Sequence, residues 1–260
     1  MSELNRQNRI IEVLGKRPFL TVRDLQGQLG VSAATIRRDI DKLDQSGKAQ
    51  KVYGGIAALD GSAAPGRHAA KPYDENRDLA VEAKQAIAED AATLVRDGDS
   101  VIIHGGSTCF YLGAKLAHRN VRLYTNSMPL VAFLSDHGSC GLTIAGGELH
   151  REPGIIHPTA PPPPFYASKF FLGAQGIGRD GLLESHPLLV RTIVDLSANA
   201  DQVVVLADSR KFAIRARSVA LPLSRVGVLV TDDGLSDRDA KMLENAGITI
   251  RIVSLVPDAV

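Results

Sequence analysis

The stretch Val22–Leu59, VRDLQGQLGVSAATIRRDIDKLDQSGKAQKVYGGIAAL, decides how the N-terminal part of the chain folds. Val22, Leu25 and Leu29 recur at helical spacing, and Gly30 stops the run. Ser32 then stands as an N-cap for a helix running to about Ser46, where Gly47 ends it. Inside that helix Ile36, Ile40 and Leu43 are spaced four and three apart. They line one buried face, which turns Ala33, Thr35, Arg37 and Arg38 outward. The segment KAQKVYGGIAAL that follows, with basic residues, a tyrosine and a Gly-Gly turn, predicts a short hairpin. Upstream, residues 4–15 read as a helix with Ile10, Ile11, Val13 and Leu14 as its apolar stripe. Pro18 blocks its continuation, and Thr21 with Asp24 imitates a capping box for the second helix.

Helix, helix, Gly-containing turn, helix and hairpin is the order of a winged helix-turn-helix, whose third helix offers side chains to base edges. Arginine bonds guanine in bidentate fashion, and threonine touches a base or a phosphate. The net charge of the 260-residue chain is only +1, so a DNA-binding reading rests on local charge. Through Leu59 there are ten Lys and Arg against six Asp and Glu, and the excess falls on Arg37, Arg38, Lys48 and Lys51. The bland alternative is a solvated face in which Arg37 and Arg38 pair with Asp39 and Asp41.

Residues 61–73, GSAAPGRHAAKPY, mark a linker by their Gly, Ala and Pro content. We place a DNA-binding domain at 1–59, a linker at 60–76 and a second domain at 77–260. A helix begins at residue 77 and runs to about Arg96. Short apolar runs then alternate with helical stretches: DSVIIHGGST, VRLYTNS, GLTIAGG, SKFFLGAQGI, DQVVVLADS, VGVLVTDD and ITIRIV. That alternation predicts an α/β domain with a mostly parallel sheet, and continuous runs such as VVVLA fit a sheet covered on both faces. The run PTAPPPP at 158–164 should lie extended in a surface loop. Cys109 and Cys140 form no CxxC pair and no zinc spacing, so neither a metal site nor a cofactor is expected. No apolar run is long enough for a membrane span and no signal peptide is evident, so the chain is expected in the cytoplasm.

Three strand-end loops of the second domain suit a small anion. They are His104-Gly105-Gly106-Ser107-Thr108, Tyr124-Thr125-Asn126-Ser127 and Ala145-Gly146-Gly147-Glu148. Glycines let backbone N–H groups approach an oxyanion, hydroxyls add donors, and a helix N-terminus adds positive potential. In an open α/β sheet ligands collect at the carboxyl ends of strands. No lysine follows the glycines as in a P-loop, and no GxGxxG opens a helix.

Val31-Ser32, Thr35-Ile36-Arg37-Arg38-Asp39-Ile40, Leu43, Gly47 and Tyr53-Gly54-Gly55 resemble the signature of DeoR-type bacterial regulators. Ile40 stands for the usual leucine and Tyr53 for the usual histidine. The resemblance continues through Lys84, Gly106-Ser107-Thr108, Thr125-Asn126, Gly146-Gly147, Phe171-Leu172-Gly173-Ala174, Asp208-Ser209-Arg210-Lys211 and Thr231-Asp232. It implies a sensor domain similar in fold to ribose-5-phosphate isomerase, a phosphorylated sugar as effector, double-stranded operator DNA as partner, and a dimer or tetramer. It also implies that Ser32, Thr35, Arg37, Arg38, Lys51 and Tyr53 contact DNA, with Asp39 structural. Lys84, His104, Gly105, Gly106, Ser107, Thr108, Thr125, Asn126, Gly146, Gly147, Gly173, Asp208 and Lys211 form the effector site on this reading. Lys211 is its cation and Asp208 sits on a sugar hydroxyl. A plain Asp208–Lys211 ion pair is the bland alternative.

Residues 148–168 depart from the family pattern. His150, Arg151 and His157 either tune ligand choice or are ordinary loop residues, and the reading leans to the second. The rival class is a sugar-phosphate isomerase-like enzyme with a DNA-binding appendage. Such an enzyme needs a carboxylate base. Glu148, Asp180, Glu184 and Asp208 are candidates, none in a motif that marks such a base.

Overall fold

The computed structural model describes residues 3–14, 19–52, 55–57, 77–151, 153–159, 165–214 and 218–255. Tyr53, the expected linker at 60–76 and residues 160–164 of the Pro-rich run lie outside them. The chain divides into two compact units, Met1–Gly66 and Arg67–Val260.

In the first unit α1 (Glu3–Leu14), α2 (Val22–Leu29) and α3 (Ala33–Gln45) enclose one apolar cluster. Ile10, Leu25, Ile36, Ile40 and Leu43 are its centre. Gly30 and Gly47, both at positive φ, end α2 and α3. The sequence pattern predicted a two-stranded wing; the sheet has three strands. β1 (Phe19–Thr21) pairs with β3 (Gly55–Ala57), which also pairs with β2 (Gln50–Val52). Three residues are too few for a strand period to show, which is why β1 read as the approach to α2.

The second unit is built on a seven-stranded sheet in the order β15-β14-β12-β9-β4-β5-β6, every neighbouring pair parallel. These strands are β4 (Ser100–Ile103), β5 (Arg122–Thr125), β6 (Gly141–Ile144), β9 (Ala167–Leu172), β12 (Ala200–Leu206), β14 (Val228–Asp232) and β15 (Thr249–Val253). Alternate residues face opposite layers, as the strand period requires. Val101, Ile103, Val204 and Leu206 pack with α4 (Val81–Ala92), α5 (Ser107–Lys115) and α6 (Met128–His137). Ile102, Val203 and Val205 pack with α7 (Pro187–Ser197) and α8 (Asp237–Asn245).

Two small antiparallel sheets complete the unit, and neither was expected. One joins β10 (Gly176–Gly178), β11 (Gly181–Glu184) and β13 (Ser218–Leu221). The other is the hairpin of β7 (Glu148–His150) and β8 (Ile155–His157), inside the stretch read as loop. The expected helix from residue 77 is regular only over Val81–Ala92. From β4 the chain builds outward through β5 and β6, then returns to the other side of β4 as β9. The carboxyl ends of β4 and β9 are therefore the switch point of the sheet, the place where open parallel sheets bind ligands.

Candidate functional site

On α3, the Ser32 hydroxyl caps the helix by accepting the Thr35 N–H at 3.3 Å, and it lies 3.0 Å from the Thr35 hydroxyl. Ser32 is exposed, while Thr35, expected to point fully outward, is half-buried because its hydroxyl folds back on the cap. Arg37 and Arg38 are exposed. The pairing with Asp39 and Asp41 that would make them a bland face is absent among the described residues, because both carboxylates are engaged elsewhere. Asp39 is 2% exposed and accepts a forked pair of bonds from Arg6, 2.7 Å from Nε and 3.2 Å from Nη2. Asp41 pairs with Lys51 at 2.8 Å. The Lys51 N–H donates to the Asp44 carboxylate at 2.8 Å, which ties β2 to α3. The Lys51–Asp41 pair is exposed on both sides and so worth at most about 1 kcal/mol, little resistance to exchange for a phosphate.

In the second unit the strand-end loops converge around the reversal point. The His104 N–H donates to the Phe171 carbonyl at 2.9 Å, joining β4 to β9 at the switch point. Gly105 has no room for a Cβ, since Ile155 of β8 lies against it. Its N–H donates to Asn126 Oδ1 at 3.0 Å, so the loops after β4 and β5 are linked. Ser107 and Thr108 are buried in the first turn of α5, whose leading N–H groups have no intrahelical acceptor. Gly146 and Gly147 are exposed, and Gly147 adopts φ +151 with the His157 carbonyl where a side chain would begin. Thr125, expected at the ligand, is committed to the scaffold. Its hydroxyl donates to the Ile103 carbonyl at 2.7 Å and accepts the Ser127 N–H at 3.1 Å. Gly173 ends β9, where a Cβ would meet the Leu206 carbonyl at ordinary contact distance.

The charged part of the site follows β12. Asp208 is 1% exposed and receives Arg210 Nε at 2.7 Å and Nη2 at 3.2 Å. Arg210, rather than the Lys211 of the bland alternative, makes its side-chain hydrogen bonds among the described residues. Burial opposes its ionisation, yet Arg210, Lys211 and Lys84 together hold its carboxyl below the usual range. Lys84, on α4 and 2% exposed, is pushed down to about 8 by burial, with Lys211 and Arg210 adding to the fall and Asp208 opposing it. Lys211 is also lowered by burial, with Asp208 opposing, Arg210 adding and Glu184 opposing. Glu184 on β11 is itself raised by burial, against the backbone N–H groups of Ser185 and His186. The turn that carries Arg210 and Lys211 is anchored by Asp232, which accepts the Ser209 N–H at 2.7 Å and its hydroxyl at 2.8 Å. Three cations thus gather about one fully buried carboxylate. Sequence reasoning passed over Arg210, although it lies between two residues that were chosen. Glu184 was named only as a candidate base of the rival enzyme; it meets Lys211 from a separate sheet.

His104 is 4% exposed with Nδ1 2.9 Å from the Gly105 carbonyl. Burial takes it down to about 4, against the Gly105 carbonyl and with help from His157. Among the described residues no group of three or more His, Cys, Asp or Glu is placed to hold a metal ion.

Residues 6–61 match the profile of the DeoR-like helix-turn-helix domain, and residues 79–233 match that of the DeoR C terminal sensor domain. The chain belongs to the DeoR family. Relatives of this DeoR-family chain include the HTH-type transcriptional regulator UlaR of Shigella dysenteriae serotype 1 and that of Escherichia coli K12 / DH10B. Each is 31% identical over 256 residues, covering 96% of this chain and 99% of the relative. Among solved structures, ribose 5-phosphate isomerase A from Methanocaldococcus jannaschii aligns over 50% of this chain and 53% of its own, at TM-score 0.36 and 18% identity. The DeoR-family chain is therefore a helix-turn-helix transcriptional regulator that binds DNA and carries a C-terminal sensor domain. Its relatives are regulators, which sets aside the isomerase-like enzyme. No helix among the described residues is long and apolar enough to cross a membrane.

Proposed function

We propose that this regulator represses a carbohydrate-utilisation operon and is released from its operator by a phosphorylated sugar. The observation that carries the reading is the gathering of Lys84, Arg210 and Lys211 about Asp208 beside the strand-end loops. Buried lysines held below their ordinary range by burial and mutual repulsion gain most from an incoming anion. Lys84 and Lys211 take the phosphate with the N–H groups and hydroxyls of the Gly106-Ser107-Thr108 turn. Gly105, Gly146, Gly147 and Gly173 let the backbone close around the ligand, and His104 and Asn126 face its sugar.

In the first domain, 1–59, Arg37 and Arg38 read DNA from α3 with Ser32 and Thr35 beside them, while Lys51 and Tyr53 of the wing take the backbone. One winged unit has a small interface, so the cytoplasmic regulator works as a dimer or tetramer on repeated half-sites. The segment 60–76 links it to the sensor domain, 77–260. Effector binding favours a spacing of the DNA-binding domains that no longer fits both half-sites, through a difference in affinity for the two states.

The test is a thermal-shift screen of the purified chain against sugar phosphates and their unphosphorylated parents. At 100 times its dissociation constant an effector adds about 2.7 kcal/mol, a clear shift in melting temperature. Stabilisation by one phosphate ester, and by none of the parents, is the expected result. A parent sugar acting as well as its ester would show that the lysines do not hold a phosphate.

A further inference from the structure

The hairpin β7–β8 lies within the departure from the family pattern at 148–168, and it docks on the strand-end loops. Ile156 N–H donates to the Asn126 carbonyl at 2.8 Å, and Met128 N–H to the Gly154 carbonyl at 2.9 Å. His157, the last residue of β8, is thereby brought close enough to His104 to disfavour its protonation.

The hydrogen-bond network settles which nitrogen of each ring carries the proton. Thr192 Oγ1 lies 3.0 Å from the Leu188 carbonyl and 2.7 Å from His157 Nδ1. A carbonyl only accepts, so the single hydroxyl proton goes to Leu188 and Thr192 must accept from His157 Nδ1–H. His157 Nε2 is then a bare lone pair in the neutral ring. The same logic applies to His104, whose Nδ1–H faces the Gly105 carbonyl and whose Nε2 is likewise an acceptor. Both Nε2 atoms are buried and have no partner among the described residues. Asn126 is also unambiguous: Oδ1 accepts the Gly105 N–H, so Nδ2 is a donor, and it too is buried without a partner. His104 is 4% exposed and Asn126 fully buried, so leaving these atoms unmatched carries the desolvation cost of each.

We infer that His157 is a specificity-determining residue of the effector site, and that with His104 it accepts hydrogen bonds from two hydroxyl groups of the ligand while Asn126 Nδ2 donates to a third oxygen. The ligand class is a polyhydroxylated anion with two unsubstituted hydroxyls away from its charged end. This deepens the effector reading and rests on it: the cations take the charge, and the two imidazoles read the hydroxyl pattern. A site built to accept a hydroxyl rejects the analogue that lacks it, because the buried lone pair is then left unmatched.

The experiment is calorimetric titration of the full chain and of His157→Leu and His157→Gln. The probes are inorganic phosphate, pentose and hexose phosphates, their unphosphorylated parents and the monodeoxy analogues of any compound that binds. Thr192 keeps its bond to Leu188 in both variants, and the glutamine side chain carries an amide oxygen that can stand in for Nε2. His157→Leu should weaken the hydroxylated ligand about tenfold or more, the worth of one hydrogen bond to a buried group. His157→Gln should restore most of the loss, one deoxy analogue should bind the leucine variant and the unaltered chain alike, and inorganic phosphate should bind all three chains equally. Equal binding of the hydroxylated ligand by His157→Leu and the unaltered chain overturns the proposal, as does an equal loss of inorganic phosphate. If only unphosphorylated sugars bind and His157→Leu weakens them, the phosphate reading falls while the hydroxyl reading stands. If no compound binds the unaltered chain, both fall.

Discussion

Replacing Lys84 with methionine should make this regulator more stable and less responsive at once. Lys84 is 2% exposed, and its fall from 10.5 to about 8 says that the folded chain holds the charged amine less readily than the unfolded chain does. That difference corresponds to roughly 3 kcal/mol. Between about pH 8 and 10.5 the unfolded chain keeps a proton that the folded chain has released, so stability rises with pH across this window. Below it Lys84 is charged in both states, and the full cost is present. Lys84→Met removes the charge and keeps the stem, so at pH 7 it should gain up to roughly 3 kcal/mol, and the gain should shrink toward zero by pH 10.5. Cys109, pushed up to about 12 by burial, and the raised Tyr124 and Cys140 have the opposite pH slope. Both chains contain them, so they cancel in the difference. Urea denaturation of the two chains at pH 7 and pH 10 gives the numbers. Loss of stability in the variant at pH 7, or a gap that does not change with pH, would refute the reasoning. A second reading comes from the ligand: an anion beside Lys84 restores its charged form, so binding near pH 8.5 should take up a proton, seen in buffers of different ionisation enthalpy.

Asp39→Ala should destabilise the N-terminal unit, because it removes the buried carboxylate that the Arg6 fork bonds. Urea unfolding measures it, and a change below about 0.5 kcal/mol would make the pair ornamental. Arg37→Ala and Arg38→Ala remove exposed side chains that have no ion-pair partner among the described residues, so stability should move by less than about 0.5 kcal/mol. Operator affinity measured against salt then separates their roles: losing a phosphate contact lowers the salt slope by about 1, whereas losing a base contact costs about 1–3 kcal/mol at one operator position.

The winged helix-turn-helix was legible because its signals are local. Ile36, Ile40 and Leu43 recur at a helical period, and Gly30 and Gly47 occupy positive φ where the helices stop. The parallel sheet was legible for a similar reason, since strands buried on both faces, such as Val203–Leu206, must be apolar at every position. The strand-end loops could be found too, because the glycines that let backbones approach are visible as glycines.

Which polar atoms meet was not legible. Arg37 and Arg38 have two aspartates beside them in the chain, yet Asp39 bonds Arg6, 33 residues away, and Asp41 bonds Lys51. Thr125 looks like a ligand hydroxyl until β4 supplies the carbonyl that it serves.

By itself, then, the chain's pattern of apolar spacing, glycines and short motifs determined most of the secondary structure, a parallel α/β architecture and the glycine-bearing loops at the strand ends. Periodicity and turn chemistry act over a few residues, and a few residues suffice to read them. Only the tertiary structure decided that Arg210 rather than Lys211 bonds Asp208, that β7–β8 is a hairpin, and that His157 meets Thr192. These are pairings between groups far apart in sequence, and burial makes them matter: in a dry interior each donor and acceptor must be matched by whatever the fold brings to it.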